Sequence, residues 1–291
     1  MNIERTSEPI KGLRAVVKPT FMLPAVGTAA AGNLLAPAID FAIGIIHALA
    51  VATALYIAHL VDEYVDAYIR NEDVPSVSKR AIGYATAIAT AVFLVLTARL
   101  WLIGAYTAVA TTVPLLALAV LHAPVFDRHP VTVTVDYPIG IALAFSGGYL
   151  AQTDVLSGGV LGIAAVLAVL LSGLKISIDR LDRSFDQTID KRTIPVLLGD
   201  QVSGAVAAAM HILAAVLVSA FAVVAVFPVT ALAVVPMALL GAAVVFCTSM
   251  DQTVRLQMLL AYPITATLFT TQCAATECTF FRYVGKVGLL G

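Results

Sequence analysis

Two acidic runs close two apolar stretches of this chain. The first is His59-Leu60-Val61-Asp62-Glu63-Tyr64-Val65-Asp66. The second is Lys175-Ile176-Ser177-Ile178-Asp179-Arg180-Leu181-Asp182-Arg183-Ser184-Phe185-Asp186. Charged residues make up 12% of the sequence, so six acids gathered into two patches are a feature to be explained. At about 100° per residue, Asp62 and Asp66 lie about 40° apart around a helix, and Glu63 lies about 60° from Asp66. In the second run Asp182 stands about 60° from Asp179, and Asp186 about 20° from it. Three carboxylates then form a ladder roughly 10 Å long at 1.5 Å per residue. Clustered carboxylates repel one another. A charge at bilayer depth costs about 2.5–3.5 kcal/mol at a helix centre and less near an end. A divalent cation offsets both penalties, and an all-oxygen donor set suits Mg²⁺ shared with substrate phosphates. The chemistry indicated is a Mg²⁺–diphosphate complex held between the ladders, with Asp62, Glu63, Asp66, Asp179, Asp182 and Asp186 as candidate metal ligands.

Cations near these runs are candidates for holding diphosphate oxygens. Lys175 sits one turn before Asp179, where it can take up negative charge growing on a leaving group. Arg128 and Lys191 are further candidate clamps. The competing reading is that the acids are solvated helix ends paired locally, as Lys175–Asp179 and Arg183–Asp186, with the other cations serving to set topology. His59 lies one turn before Asp62, either lining the pocket or packed as a core histidine. Tyr64 and Tyr137 are aromatic candidates for the cavity, where ring faces stabilise a cation. Their alternative is ordinary packing or a membrane-interface belt.

The elements that must position these residues are membrane helices. The chain has 291 residues, 60% of them hydrophobic, and a mean hydropathy of +0.96. Soluble domains are about half apolar, and a bilayer span needs about 20 apolar residues. Such runs fall at roughly 16–36, 40–61, 81–98, 100–122, 137–152, 158–178, 202–227, 229–249 and 256–275. Strict alternation is absent, so the fold expected is an all-α bundle of about nine transmembrane helices forming one domain over 1–291. Residues 1–15 lack an apolar core and read as an interfacial lead-in. Residues 62–80 and 179–200 are expected as loops that carry the site. If successive loops alternate sides, all of the 17 lysines and arginines except Arg99, Arg282 and Lys286 fall on the side of the N-terminus. That bias assigns the N-terminus and both acid runs to the cytoplasmic face. Cys247, Cys273 and Cys278 lack zinc spacing and read as small buried hydrophobes. No basic stripe suggests a nucleic-acid partner.

These motifs resemble those of the UbiA superfamily of intramembrane prenyltransferases, over nearly the whole chain. The family pattern Asn-Asp-x-x-Asp-x-x-x-Asp follows its second helix, and Asp-x-x-Asp-x-x-x-Asp its sixth. The second motif is intact here as Asp179, Asp182 and Asp186, and Lys175 matches the family lysine ahead of it. Thr193-Ile194-Pro195-Val196-Leu197-Leu198-Gly199 resembles the Thr-Leu-Pro-Ile-x-x-Gly segment. Phe126-Asp127-Arg128-His129-Pro130, with Asp136 and Gly140, resembles the basic loop and the start of the fifth helix. Lys18-Pro19 resembles the Arg-Pro that opens the first helix. The first motif departs: Asp62 takes the Asn place, Glu63 the first Asp place, Asp66 the central one, and Arg70 stands where the last Asp would be. Leu171 replaces the usual Tyr. The resemblance implies a helical bundle around a central cavity open sideways to lipid. It also implies Mg²⁺, a polyprenyl diphosphate donor, and catalytic roles for Asp66, Lys175, Asp179 and Asp182. Arg70 is then a candidate phosphate contact. The acceptor, a hydrophobic or aromatic molecule, is a matter of pocket shape. The competing function is a transport-type or non-catalytic membrane protein that keeps the bundle; charges gathered at helix ends on one side favour the enzyme.

Overall fold

Prolines and short polar caps set where the helices begin. The computed structural model describes residues 9–72, 74–189 and 191–286. Among these the chain forms α1 (Pro9–Ala15), α2 (Pro19–Leu35), α3 (Phe41–Val65), α4 (Lys79–Leu102), α5 (Tyr106–Leu121) and α6 (Pro130–Gln152). There follow α7 (Gly158–Thr188), α8 (Ile194–Val223), α9 (Val234–Cys247), α10 (Met250–Thr276) and α11 (Thr279–Lys286). Pro19, Pro130 and Pro195 occupy first-turn positions, where the missing N–H costs nothing. Asp40 caps α3 by accepting from the amides of Ala42 and Ile43 at 2.8 and 3.2 Å. Ser249 and Gln252 form a reciprocal capping box at α10.

The helices run past the apolar stretches. Hydropathy ends the sixth run at 178, yet α7 continues to Thr188, so the second acid ladder lies on the helix and not in the loop expected from 179. Likewise α3 continues through residues 62–65 and widens into a π-helical turn, Asp66–Arg70. Backbone i→i+4 bonding does not stop where apolar residues do. The α8 segment starts eight residues before its apolar run, and Gly199 breaks it with φ of 78°, a conformation that disfavours any Cβ. Among the described residues six spans are long and apolar enough to cross a membrane by length and composition: Phe41–Arg70, Lys79–Leu102, Pro130–Gln152, Gly158–Thr188, Ile194–Val223 and Val229–Cys247. Tyr106–Leu121 is a shorter apolar helix. Of the expected lead-in over 1–15, only Pro9–Ala15 falls within the described residues, as α1.

Small residues let the helices approach closely. A Cβ on Gly32 of α2 would run into the carbonyl of Phe145, and one on Gly148 of α6 into the carbonyl of Ala29. The α2–α6 crossing is thus a backbone-to-backbone contact, as membrane interfaces favour. Short connections join neighbours that pack side by side, so successive helices reverse direction. One end of the bundle therefore gathers the C-terminal ends of α3, α5 and α7 with the N-terminal ends of α2, α4, α6 and α8. The far end is tied by Gln152 to Asn33 at 2.8 Å and by the Thr279 amide to the Ala36 carbonyl at 2.9 Å.

The cysteines correct the sequence expectation in part: Cys273 and Cys278 are buried as expected, but not as separate side chains. Cys273 and Cys278 are joined by a disulfide across the end of α10, and Cys247 is exposed. Glu277 takes a left-handed conformation there, and the Cys278 amide donates to the Cys273 carbonyl. This reversal brings the two Cα atoms to 4.9 Å, which a hydropathy argument cannot foresee.

Candidate functional site

The end of α3 supplies the first acid cluster, and each of its acids already has a partner. Asp62 receives the Lys18 ammonium at 2.9 Å, from just before α2. Glu63 accepts the Ser76 amide at 2.8 Å and so braces the connection to α4. The Asp66 N–H still bonds the carbonyls of Asp62 and Glu63, and the ladder widens only beyond it, where the Asn71 N–H reaches back to the Asp66 carbonyl. The π-helical turn that follows carries Arg70 back over Asp66, 3.2 Å from its carboxylate. Such turns often mark functional sites. Arg70 also reaches Asp127 at 3.1 Å and the Ala123 carbonyl at 2.7 Å, both in the α5–α6 connection, and Glu72 at 3.7 Å.

On α7 the second cluster is more open. Lys175 pairs with one oxygen of buried Asp179, as the i,i+4 spacing allows. The other oxygen, Oδ2, is buried with no hydrogen-bond partner among the described residues. Asp186, also buried, accepts from the Thr193 hydroxyl at 3.2 Å. Asp182 is exposed, near enough to Asp179 for their charges to repel. Arg183 pairs with Asp200 at 3.2 Å and not with Asp186.

Asp127 and Lys191 join the two clusters. The Asp127 carboxylate is 3% exposed. Its Oδ2 faces Arg70 at 3.1 Å and Lys191 at 3.6 Å, and its Oδ1 is buried without a partner among the described residues. Burial works against the charge on Lys191. The surrounding carboxylates of Asp127, Asp186, Asp179 and Asp62 outweigh it and hold the pKa above the usual lysine value. Lys18 behaves alike: burial works against its charge, but Asp62 first, then Asp66 and Glu63, hold its pKa above the usual lysine value. His122, at the end of α5, is hydrogen-bonded through Nδ1 to the buried carboxylate of Asp136 on α6. Burial opposes its charge, but Asp136 first, then Asp127 and Asp62, shift its pKa upward.

The candidates from sequence therefore divide. Asp62, Asp66, Arg70, Lys175, Asp179, Asp186 and Lys191 share one end of the bundle and one electrostatic network. Glu63 is turned to the loop amide, and Arg128 is exposed. Tyr64 packs beside Tyr68, with the Lys79 ammonium 5.2 Å from its ring centre. Tyr137 donates its hydroxyl to the Phe21 carbonyl at 3.1 Å and meets the Phe21 ring edge-on. His59 is buried, with Nδ1 3.5 Å from the Lys18 amide nitrogen. Asp127, His122 and Asp136 carried no assigned role in the sequence reading. Their signal is an acid within a helix connection, and a histidine and an acid flanking it where apolar runs end and begin.

A divalent cation suits the α7 side. Asp179 and Asp127 each present a buried carboxylate oxygen lacking a partner, and Asp182 stands alongside. Unpaired buried carboxylate oxygens are costly unless a cation or donor meets them. Among the described residues no three His, Cys, Asp or Glu side chains already converge on one point.

No protein-family model matches the sequence, and no curated protein matches it. Solved structures do match its fold. A structure of digeranylgeranylglyceryl phosphate synthase aligns with a TM-score of 0.74 at 14% identity, covering 91% of this chain and 99% of that one. A UbiA homologue from Aeropyrum pernix K1 aligns at 0.70 and 21% identity, covering 87% and 98%. A UbiA homologue from Archaeoglobus fulgidus, bound to GPP and Mg²⁺, aligns at 0.68 and 14% identity, covering 91% and 99%. The chain has the UbiA fold.

Proposed function

We propose that the chain transfers a polyprenyl group from an allylic prenyl diphosphate to a hydrophobic or aromatic acceptor inside the bilayer, releasing diphosphate. The observation that carries this reading is the setting of Lys191. Its ammonium lies among carboxylates from three stretches of chain: Asp62 on α3, Asp127 between α5 and α6, and Asp179 with Asp186 on α7. Half-buried cations beside partnerless carboxylate oxygens suit an anion that arrives with a divalent metal ion. The capture of a similarly folded UbiA homologue with GPP and Mg²⁺ supports the same reading.

In this reading Lys175 and Lys191 hold the diphosphate oxygens as the bond to the prenyl carbon lengthens and negative charge collects on them. Asp179, Asp182, Asp186 and the free oxygen of Asp127 are the donors for Mg²⁺. When bound, that ion would neutralise charge on the leaving diphosphate. Asp66 fixes Arg70, which in turn steadies Asp127. The apolar walls of the bundle keep water from the prenyl cation. The acid end is assigned to the cytoplasm. The lysine and arginine bias supports this, as does the disulfide at the far end, since disulfides persist in oxidising compartments.

The test is incubation of membranes carrying the chain with radiolabelled geranylgeranyl diphosphate and a panel of acceptors. Diphosphate release should require Mg²⁺. Asp179→Asn or Lys175→Met should slow it by about 100-fold or more, the usual effect of removing one electrostatic stabiliser, with the protein still folded. Undiminished release in both variants would contradict the assigned roles. Ion-driven solute uptake into proteoliposomes without any prenyl transfer would favour the transport reading.

A further inference from the structure

We infer that Arg70, together with Lys18, closes the first acid cluster to divalent metal, so that the mouth of the bundle takes one divalent cation, on the Asp179 side, and not one on each cluster. This rests on the diphosphate-site reading above. Two facing carboxylate clusters of equal standing would each invite an ion. Here they are not equal. In the first, Asp62 holds Lys18 at 2.9 Å, Asp66 holds Arg70 at 3.2 Å, and Glu63 is committed to the Ser76 amide at 2.8 Å. In the second, Asp179 gives one oxygen to Lys175 and keeps the other buried with no partner among the described residues.

Arg70 is fixed in place on several sides. One guanidinium nitrogen bridges Asp66 and Asp127, the other donates to the Ala123 carbonyl at 2.7 Å, and Nε faces Glu72 at 3.7 Å. The π-helical turn Asp66–Arg70, stopped by Asn71 in a left-handed conformation, brings the side chain back onto Asp66. An arginine stays protonated at any physiological pH, so it cannot vacate the site by losing its charge. A metal ion entering between Asp66 and Asp127 would have to break these contacts and leave the guanidinium beside a dication. Arginine in this position therefore supplies a permanent, unexchangeable positive charge. The first cluster becomes a rigid wall that orients Asp127 toward Lys191, leaving the α7 side to bind metal.

The test counts ions on the full chain in detergent. Mn²⁺ binding is measured by electron paramagnetic resonance in the presence of inorganic diphosphate, for the wild type and for Arg70→Asp. The expected result is one diphosphate-dependent Mn²⁺ per wild-type chain and two per Arg70→Asp chain. Two ions on the wild type, or a count that Arg70→Asp leaves unchanged, would overturn the inference while leaving the diphosphate site standing. No diphosphate-dependent Mn²⁺ at all would overturn both this inference and the donor-site reading beneath it. Should Arg70→Asp fail to fold, the wild-type count alone decides between one and two.

Discussion

The contact between Arg70 and Asp127 joins residues 57 positions apart and ties the end of α3 to the connection ahead of α6. Breaking it tests whether the bridge holds the site together. Two unit charges 3.1 Å apart attract by about 5 kcal/mol at an effective dielectric constant of 20. The net value is smaller. Asp127 is nearly sealed from solvent, but the Arg70 side chain is 21% exposed. Arg70 also keeps Asp66 at 3.2 Å and the Ala123 carbonyl at 2.7 Å when Asp127 is neutralised. A coupling energy of about 2 kcal/mol is therefore expected, within the range found for residues sharing one ion-pair network. The assay is a double-mutant cycle with Arg70→Met, Asp127→Asn and the double variant, each unfolded by SDS titration from mixed micelles. Asp127→Asn alone should destabilise by about 3 kcal/mol, the low end for removing one partner of a buried pair. The double variant should be clearly less destabilised than the sum of the singles. Additivity within about 0.5 kcal/mol would mean that the two side chains do not depend on one another, and the bridge would be refuted.

Three further outcomes follow from the geometry. Glu63→Gln should leave both stability and Mg²⁺ dependence within about twofold of wild type, because a glutamine oxygen accepts the Ser76 amide as a carboxylate does; a marked rise in the Mg²⁺ requirement, read from metal titrations of diphosphate release, would restore Glu63 as a ligand. Gly148→Ala should destabilise by about 1–3 kcal/mol through the Ala29 backbone, whereas Gly27→Ala, with open space around its Cβ, should change little in the same SDS titrations. His122 has a pKa raised above 6.5, so its pairing with Asp136 stabilises the fold fully below that value and is lost as pH rises through the higher folded pKa. Stability measured from pH 6 to pH 9 should fall in the wild type by more than in Asp136→Asn; parallel curves would remove the pair from the account.

Much of this was legible in the sequence, in physical terms. Apolar runs located the helices because lipid demands them, and the spacing of Asp179 and Lys175 correctly placed both on one stripe of α7. Hydropathy hid the helix ends, since α7, α8 and α10 carry polar residues beyond their apolar runs. Helical angles also could not show that Glu63, which stands close to Asp66 on a wheel, accepts the amide of Ser76. The π-helical turn at Asp66–Arg70 begins at the third acid of that run and changes the register only beyond it, where Arg70 is placed. Asp127 was marked in the sequence only as an acid within a helix connection, because its importance comes from Arg70 and Lys191, which reach it from distant parts of the chain. The Cys273–Cys278 bridge likewise depends on a left-handed residue at Glu277 that composition does not reveal.

The most direct measurement is a cryo-electron microscopy structure of the chain in nanodiscs with Mn²⁺ and geranyl S-thiolodiphosphate. Diphosphate density lying between Lys175 and Lys191, with the metal against Asp179, is the result expected. Diphosphate bound elsewhere, or an ion seated between Asp62 and Asp66 with Arg70 displaced, would contradict the account.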